Sequence, residues 1–331
     1  MSDHALEKAL EAFGLRPLSP PAPIENSVLN QNYRVDTAGG PVFLRSHRPG
    51  RPLERLQREL AGAAWAASRG LPVSKSRLSP DGRAIVDIDG QFWSVQEWVD
   101  GATYLRGSVT PEQAHRLGAV HARCLVALDD YPGIADLPPN SELSWSTEAS
   151  LAILNAIGPE VARRGNEQEQ RWHATQTELL RSPLSVGPEP YAWMPRAATH
   201  GDFHDRNVMF EPDGALAAVV DWERFCVQPP AFEVLRAVSF MLILEPAQLR
   251  AYVEGFREHA TLVEATIPAA VDAWWQSSLH NTWSFRDTFR DGNTTARQFL
   301  PEEERRSEQF NEGGFREWLT AELLPLAQRR G

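Results

Sequence analysis

His200-Gly201-Asp202-Phe203-His204-Asp205-Arg206-Asn207 is followed, fourteen residues after Asn207, by Asp221 in the run Val219-Val220-Asp221-Trp222-Glu223. Three oxygen-bearing side chains stand here in short order: an acid, an amide five residues on, and a second acid closing an apolar run. The amide and the second acid are hard oxygen donors of the kind Mg²⁺ prefers. The first acid, on a loop, is placed to accept a proton from a hydroxyl. Between them, Val208-Met209-Phe210 and Ala215 to Val220 are short apolar strands joined by Glu211-Pro212-Asp213-Gly214, a turn sequence ending on glycine. The hairpin this predicts sets Asn207 beside Asp221. An Asp-x₄-Asn spacing alone is common in loops, and a lone Asp at a strand end is more often a turn former or a cap. The whole constellation is more specific, and its chemistry is that of a phosphoryl-transfer centre.

The segment resembles the catalytic loop and metal-binding strand of the aminoglycoside phosphotransferase family, which includes choline, homoserine and methylthioribose kinases. That resemblance implies an α+β, protein-kinase-like fold of two lobes: a small antiparallel-sheet N-lobe with one helix, and a larger, mainly helical C-lobe. It implies Asp202 as catalytic base, Asn207 and Asp221 as metal ligands, and ATP and Mg²⁺ as cofactors. The partners it implies are a nucleotide and a small molecule offering a hydroxyl. His200 becomes a structural support of the loop, while His204, Asp205 and Arg206 receive no role.

Upstream, the order strand, strand, helix, strand, strand matches such an N-lobe. Residues 32–37 and 41–45 flank an Ala-Gly-Gly turn, and residues 84–88 and 92–96 flank Asp89-Gly90, each a hairpin signature. Between the pairs, Leu53, Leu56, Leu60, Ala64 and Ala67 recur at helical spacing up to Gly70. The resemblance places a basic residue on the third strand to hold phosphates and an acid on the helix to orient it; Arg45 and Glu59 fall there. Arg departs from the family's Lys, and a planar fork grips phosphate differently from an ammonium. The plain alternatives are a surface arginine at a strand end and a solvated helix face. The loop from Glu25 to Asn32 has no glycine; it resembles the Asn- and Ser-rich loop of homoserine-kinase-like members, which makes Ser27 and Asn32 nucleotide contacts. Gln96 to Gly101 resembles the hinge, where the backbone of Glu97 and Val99 pairs with adenine. The lobes divide at residues 1–97 and 98–331.

Beyond the hinge the chain reads as helical. Thr110-Pro111-Glu112-Gln113 is a capping-box sequence, and His121 lies on the apolar stripe that follows, where a packed core histidine is expected. Residues 141 to 180 read as a helical insert bracketed by prolines. Pro229 and Pro230 open another helix, on which Glu233 replaces the family's Asp that buttresses the catalytic loop. Trp274, Trp275, His280, Trp283 and Arg286 are either lining for the acceptor or ordinary helix core.

At 331 residues, with 23% charged and 42% hydrophobic residues, the composition is that of a globular protein large enough for two lobes. No run approaches the roughly 20 apolar residues of a membrane span, and Met1 to Leu15 reads as an amphipathic surface helix, unlike a signal peptide. Cys124 and Cys226 suggest buried thiols without a disulfide framework, and the cytoplasm is the expected compartment. A formal net charge of −11 argues against general nucleic-acid binding, which needs concentrated Lys and Arg. Three readings follow: a small-molecule phosphotransferase, a metabolite kinase of the homoserine, choline or methylthioribose type, or a kinase-like nucleotide-binding protein without catalysis. Protein phosphorylation is disfavoured because Gln228-Pro229-Pro230 follows Asp221 almost at once.

Overall fold

A computed structural model describes residues 3–24, 30–241 and 244–328. In chain order the helices are α1 (Asp3–Ala12), α2 (Leu53–Ser68), α3 (Pro111–Leu128), α4 (Thr147–Arg164), α5 (Glu167–Arg181), α6 (Pro230–Met241), α7 (Pro246–Arg257), α8 (Thr266–His280), α9 (Trp283–Phe285, running into a π-helical turn), α10 (Leu300–Asn311) and α11 (Phe315–Leu323). The strands are β1 (Ala22–Pro23), β2 (Gln31–Thr37), β3 (Gly40–Ser46), β4 (Ser76–Arg77), β5 (Ile85–Ile88), β6 (Gln91–Glu97), β7 (Ala197–Thr199), β8 (Val208–Phe210), β9 (Leu216–Val219) and β10 (Cys226–Gln228). They fall into two compact units, one of residues 1–104, 127–133 and 205–225, the other of residues 105–126, 134–204 and 226–331. The family expectation of an antiparallel sheet followed by many helices is borne out.

In the first unit a six-stranded antiparallel sheet runs β1-β2-β3-β6-β4, with β5 also paired to β6. The two predicted hairpins are both present. Thr37 closes the first by bonding the Gly40 carbonyl through its hydroxyl (2.7 Å), and Asp89-Gly90 turns the second with both residues at positive φ, the geometry of a tight two-residue loop. Alternation then puts Val35, Val42, Leu44, Val86, Trp93 and Val95 on one face, where Ala9 and Leu10 of the N-terminal helix and Phe13 just beyond it bury against them. The amphipathic helix is thus a lid on the sheet core. β8 and β9 form the expected hairpin, with a register irregularity near Phe210.

The second unit is mainly helical. α3 begins with the reciprocal capping box, Gln113 N–H to Thr110 hydroxyl and Thr110 N–H to Gln113 side chain. The predicted insert is two helices, because Asn166 and Glu169 make a second capping box that restarts the chain as α5. α3 and α7 cross at glycines: a Cβ on Gly118 would lie 2.0 Å from the Tyr252 carbonyl oxygen, and one on Gly255 2.0 Å from that of His115. Neither position accepts a side chain without the helices moving apart. That close crossing sets His121 of α3 against Tyr252 of α7, a contact the site depends on. Both cysteines are buried and neither forms a disulfide among the described residues.

Candidate active site

The first unit gathers an ion-pair network around Arg45. β2 and β3 place Asn32 directly opposite Arg45, and the Asn32 carboxamide oxygen accepts from Arg45 Nε at 3.1 Å. Arg45 Nη1 lies 2.9 Å from Glu223 Oε1 and 3.4 Å from Asp221 Oδ1. Glu223 is further held by Arg51 (2.9 Å) and by the Asn30 amide. Arg45 is therefore fixed by its own strand neighbour at one end and by the Asp-Trp-Glu segment at the other.

The expected Arg45–Glu59 pair is not formed. Glu59, on α2, bonds Arg51 at the helix entrance and Arg55 one turn earlier (3.3 Å). Both are nearer along the chain, and Arg45 finds Glu223 instead. Burial pushes the Glu59 carboxyl up to about 8, with Arg51 opposing and the neighbouring Glu223 charge adding. His47 bonds Ser94 (2.9 Å); burial, then Arg45 and Arg51, press its pKa down to about 3. A histidine kept neutral when folded but titrating near pH 6.5 when unfolded stabilises the fold above pH 6.5. As pH falls from there toward 3, the unfolded chain gains a proton that the native chain refuses. The denaturation midpoint of the wild type should therefore drop more steeply between pH 6.5 and 4 than that of His47→Gln, and equal slopes would discount His47.

Asn207 and Asp221 are brought together by the hairpin: the Val220 N–H donates to the Asn207 carbonyl at 2.9 Å. Asn207 is 6% exposed. Asp221 sits in the left-handed region at φ 62°, where a non-glycine residue costs on the order of 1–3 kcal/mol and is retained mostly at functional sites. Glu97, in contrast, has its backbone engaged, its N–H with Lys75 (2.8 Å) and its carbonyl with the Ser74 hydroxyl (2.7 Å); Val99 is half-buried. Ser27 lies outside the described residues.

The second unit builds the loop that carries Asp202. β7 pairs with β10, and Gln228 clamps Thr199, just before the loop, through a 2.8 Å hydrogen bond. Gly201 then turns at φ 78°, a conformation natural to glycine, and donates its N–H to Glu233 on α6. His200 Nδ1 accepts from the Asp202 N–H (3.3 Å). Phe203 lies flat on His121, 4.0 Å between ring centres, and His121 joins Glu233 (3.2 Å) to the Tyr252 hydroxyl. Burial would raise the Glu233 carboxyl, but the His121 hydrogen bond and charge hold it below its ordinary value. His121 is thus a core histidine, and the longer acid at 233 still reaches the loop.

Asp202 itself is partly exposed. Arg236, one turn beyond Glu233 on α6, reaches its Oδ1 at 2.6 Å, and His204 stands 3.6 Å from its Oδ2. Glu142 holds the Nε edge of Arg236 at 3.1 Å. Sequence reading missed Arg236, Glu142, Arg51 and Glu223. Arg236 had a signal: it is the one charged residue after Glu233 in the apolar helix Pro230–Met241. Trp274, Trp275 and His280 are buried, His280 bonding Thr147 and Ser185, so they serve as helix core.

These features define a class. The phosphotransferase enzyme family model matches residues 22–274, and the chain belongs to that family. It is a phosphotransferase with a protein-kinase-like fold. A homoserine kinase of Caulobacter vibrioides is 22% identical over 236 residues, 71% of this chain and 69% of that protein. Among solved structures, a spectinomycin phosphotransferase bound to ADP and spectinomycin superposes with a TM-score of 0.69 at 12% identity, covering 98% and 99% of the two chains. An amicoumacin kinase with AMP-PNP and Ca²⁺ gives 0.64 at 16%, covering 92% and 93%. No helix among the described residues is long and apolar enough to cross a membrane.

Proposed function

We propose that the chain transfers the γ-phosphoryl group of ATP to a hydroxyl of a small molecule, with Mg²⁺, in the cytoplasm. The observation that carries this reading is Asp221, held in a left-handed conformation beside Arg45 and on the same hairpin as Asn207. The donor set fits Mg²⁺: an amide oxygen and a carboxylate are hard ligands, and this ion commonly takes one or two protein donors and completes its shell from phosphates and water. Among the described residues no three His, Cys, Asp or Glu converge on a full protein cage, which Mg²⁺ does not require. When bound, the ion would neutralise charge on the phosphate oxygens.

The chain's own groups do the rest. Arg45, aligned by Asn32, grips the phosphates, and the Arg51–Glu59 pair fixes the Glu223 side of its network. The Val99 amide and the Glu97 carbonyl meet adenine, and Ser27 and Asn32 cover the nucleotide. Residues 1–97 act as the nucleotide-binding lobe and residues 98–331 as the catalytic and acceptor-binding lobe. Asp202, its orientation set by Arg236 and the His200 contact, accepts the acceptor's hydroxyl proton. The likeness to homoserine kinases favours a metabolite as acceptor.

An ATP-consumption screen with homoserine, choline, methylthioribose and spectinomycin tests the reading. Mg²⁺-dependent, acceptor-dependent ADP formation is expected with at least one of them. Nucleotide-induced thermal stabilisation without transfer to any would establish a nucleotide-binding protein instead.

A further inference from the structure

The second unit contains a hollow lined by Arg106, Ser239, Phe240, Glu302, Arg305 and Arg306. It admits the centre of only one water-sized atom, about 10 Å³, so it takes the tip of a ligand and not its body. Three guanidinium groups crowd the Phe240 ring: Arg106 at 5.3 Å, Arg236 at 4.7 Å and Arg306 at 4.5 Å from its centre. Arg236, which lies over that ring without lining the hollow, is also the residue that holds Asp202.

Some buried donors around this ring lack a hydrogen-bond partner among the described residues. Glu302 stands 3.8 Å from both Arg106 and Arg306, too far for a hydrogen bond. Glu142 and Asp202 occupy the Nε and Nη2 of Arg236, leaving its buried Nη1 with no hydrogen-bond partner among the described residues. The buried Arg306 Nε and the Ser239 hydroxyl also have none. Burial, with Arg106 and Arg236 adding, depresses the pKa of Arg306. Arg236 and Ser239 lie one helical turn apart on α6 and share a face. Buried donors without acceptors are rare, because each costs the desolvation of its group.

We propose that this cluster binds an oxyanion, a carboxylate or phosphate carried by the acceptor, so that the enzyme phosphorylates small alcohols bearing a negative group. Guanidinium forks and a hydroxyl are the donors such a group requires. The site selects against acceptors whose far end is neutral or cationic, since those leave the Arg236 Nη1, Arg306 Nε and Ser239 hydroxyl donors without an acceptor. This rests on the phosphotransferase reading and deepens it.

The test separates the two. Thermal shift and calorimetry on the whole protein, without nucleotide, would compare L-homoserine with 3-aminopropanol, and glycerol 3-phosphate with glycerol. The member of a pair that carries the carboxylate or phosphate should stabilise the protein and its counterpart without that group should not; the pair that responds identifies carboxylate or phosphate. Arg306→Gln and Arg106→Gln should each weaken that binding tenfold or more, while Arg163→Gln on the exposed face of α4 leaves it unchanged. With MgATP, the same two variants should raise KM for the anionic acceptor far more than they lower kcat. Equal stabilisation by both members of each pair, none by any anion, or anion binding that survives in both folded variants would overturn the proposal. Anion binding that follows the expected pattern without ATP consumption would uphold the site and overturn the phosphotransferase reading instead.

Discussion

Replacing Asp202 with alanine is expected to lower kcat by about 10²–10⁴-fold, the usual contribution of a positioned general base, while MgATP stabilises the variant as it does the wild type. The two readouts separate because Asp202 belongs to the loop of the helical unit, whereas Arg45, Asn207 and Asp221 lie in the unit with the sheet. The side chain is partly exposed, and Arg236, which holds it, retains Glu142. The variant should therefore fold. Turnover within threefold of wild type would remove Asp202 from the chemistry.

Replacing Asp221 should have an equally large effect of a different kind. Asp221→Asn keeps a residue that tolerates positive φ but removes the charge. Metal-dependent nucleotide binding should be lost, and kcat/KM should fall by about three orders of magnitude, in keeping with the weight of electrostatic stabilisation in such transfers. Asp221→Gly should be as inactive yet no less stable, because glycine relieves the backbone at φ 62°. An activity loss of this size with unchanged or raised melting temperature marks a residue retained for function and not for the fold. Parallel loss of stability and activity would assign Asp221 a structural part.

What could be read from the chain, and what could not, divides along physical lines. The hairpins were legible because Gly40 and Asp89-Gly90 are required by their turns. α2 and the start of α3 were legible because apolar spacing and a capping box are local. The break at Gly165-Asn166 went unread although Asn166 and Glu169 carry the same signature as Thr110 and Gln113. β7 and β10, three residues each, are too short to show a period. In the candidate site, residue types at fixed spacing singled out Asp202, Asn207 and Asp221, and the hairpin brings the last two together. Ion-pair partners did not follow from spacing, because an arginine pairs with whichever carboxylate the fold brings nearest. Glu59 therefore took Arg51 and Arg55, and Arg45 took Glu223. Arg236 was visible only as a charge out of place in an apolar helix.

The Gly201 amide gives its hydrogen to a carboxylate sealed from solvent, and that carboxylate is tied through one imidazole to a tyrosine two helices away. The loop carrying Asp202, the proposed base, is consequently not a locally frayed strip of surface. It inherits the opening free energy of the helical interior, and warming should inactivate the enzyme at the melting of that interior, with no earlier phase in which the scaffold persists and catalysis has gone.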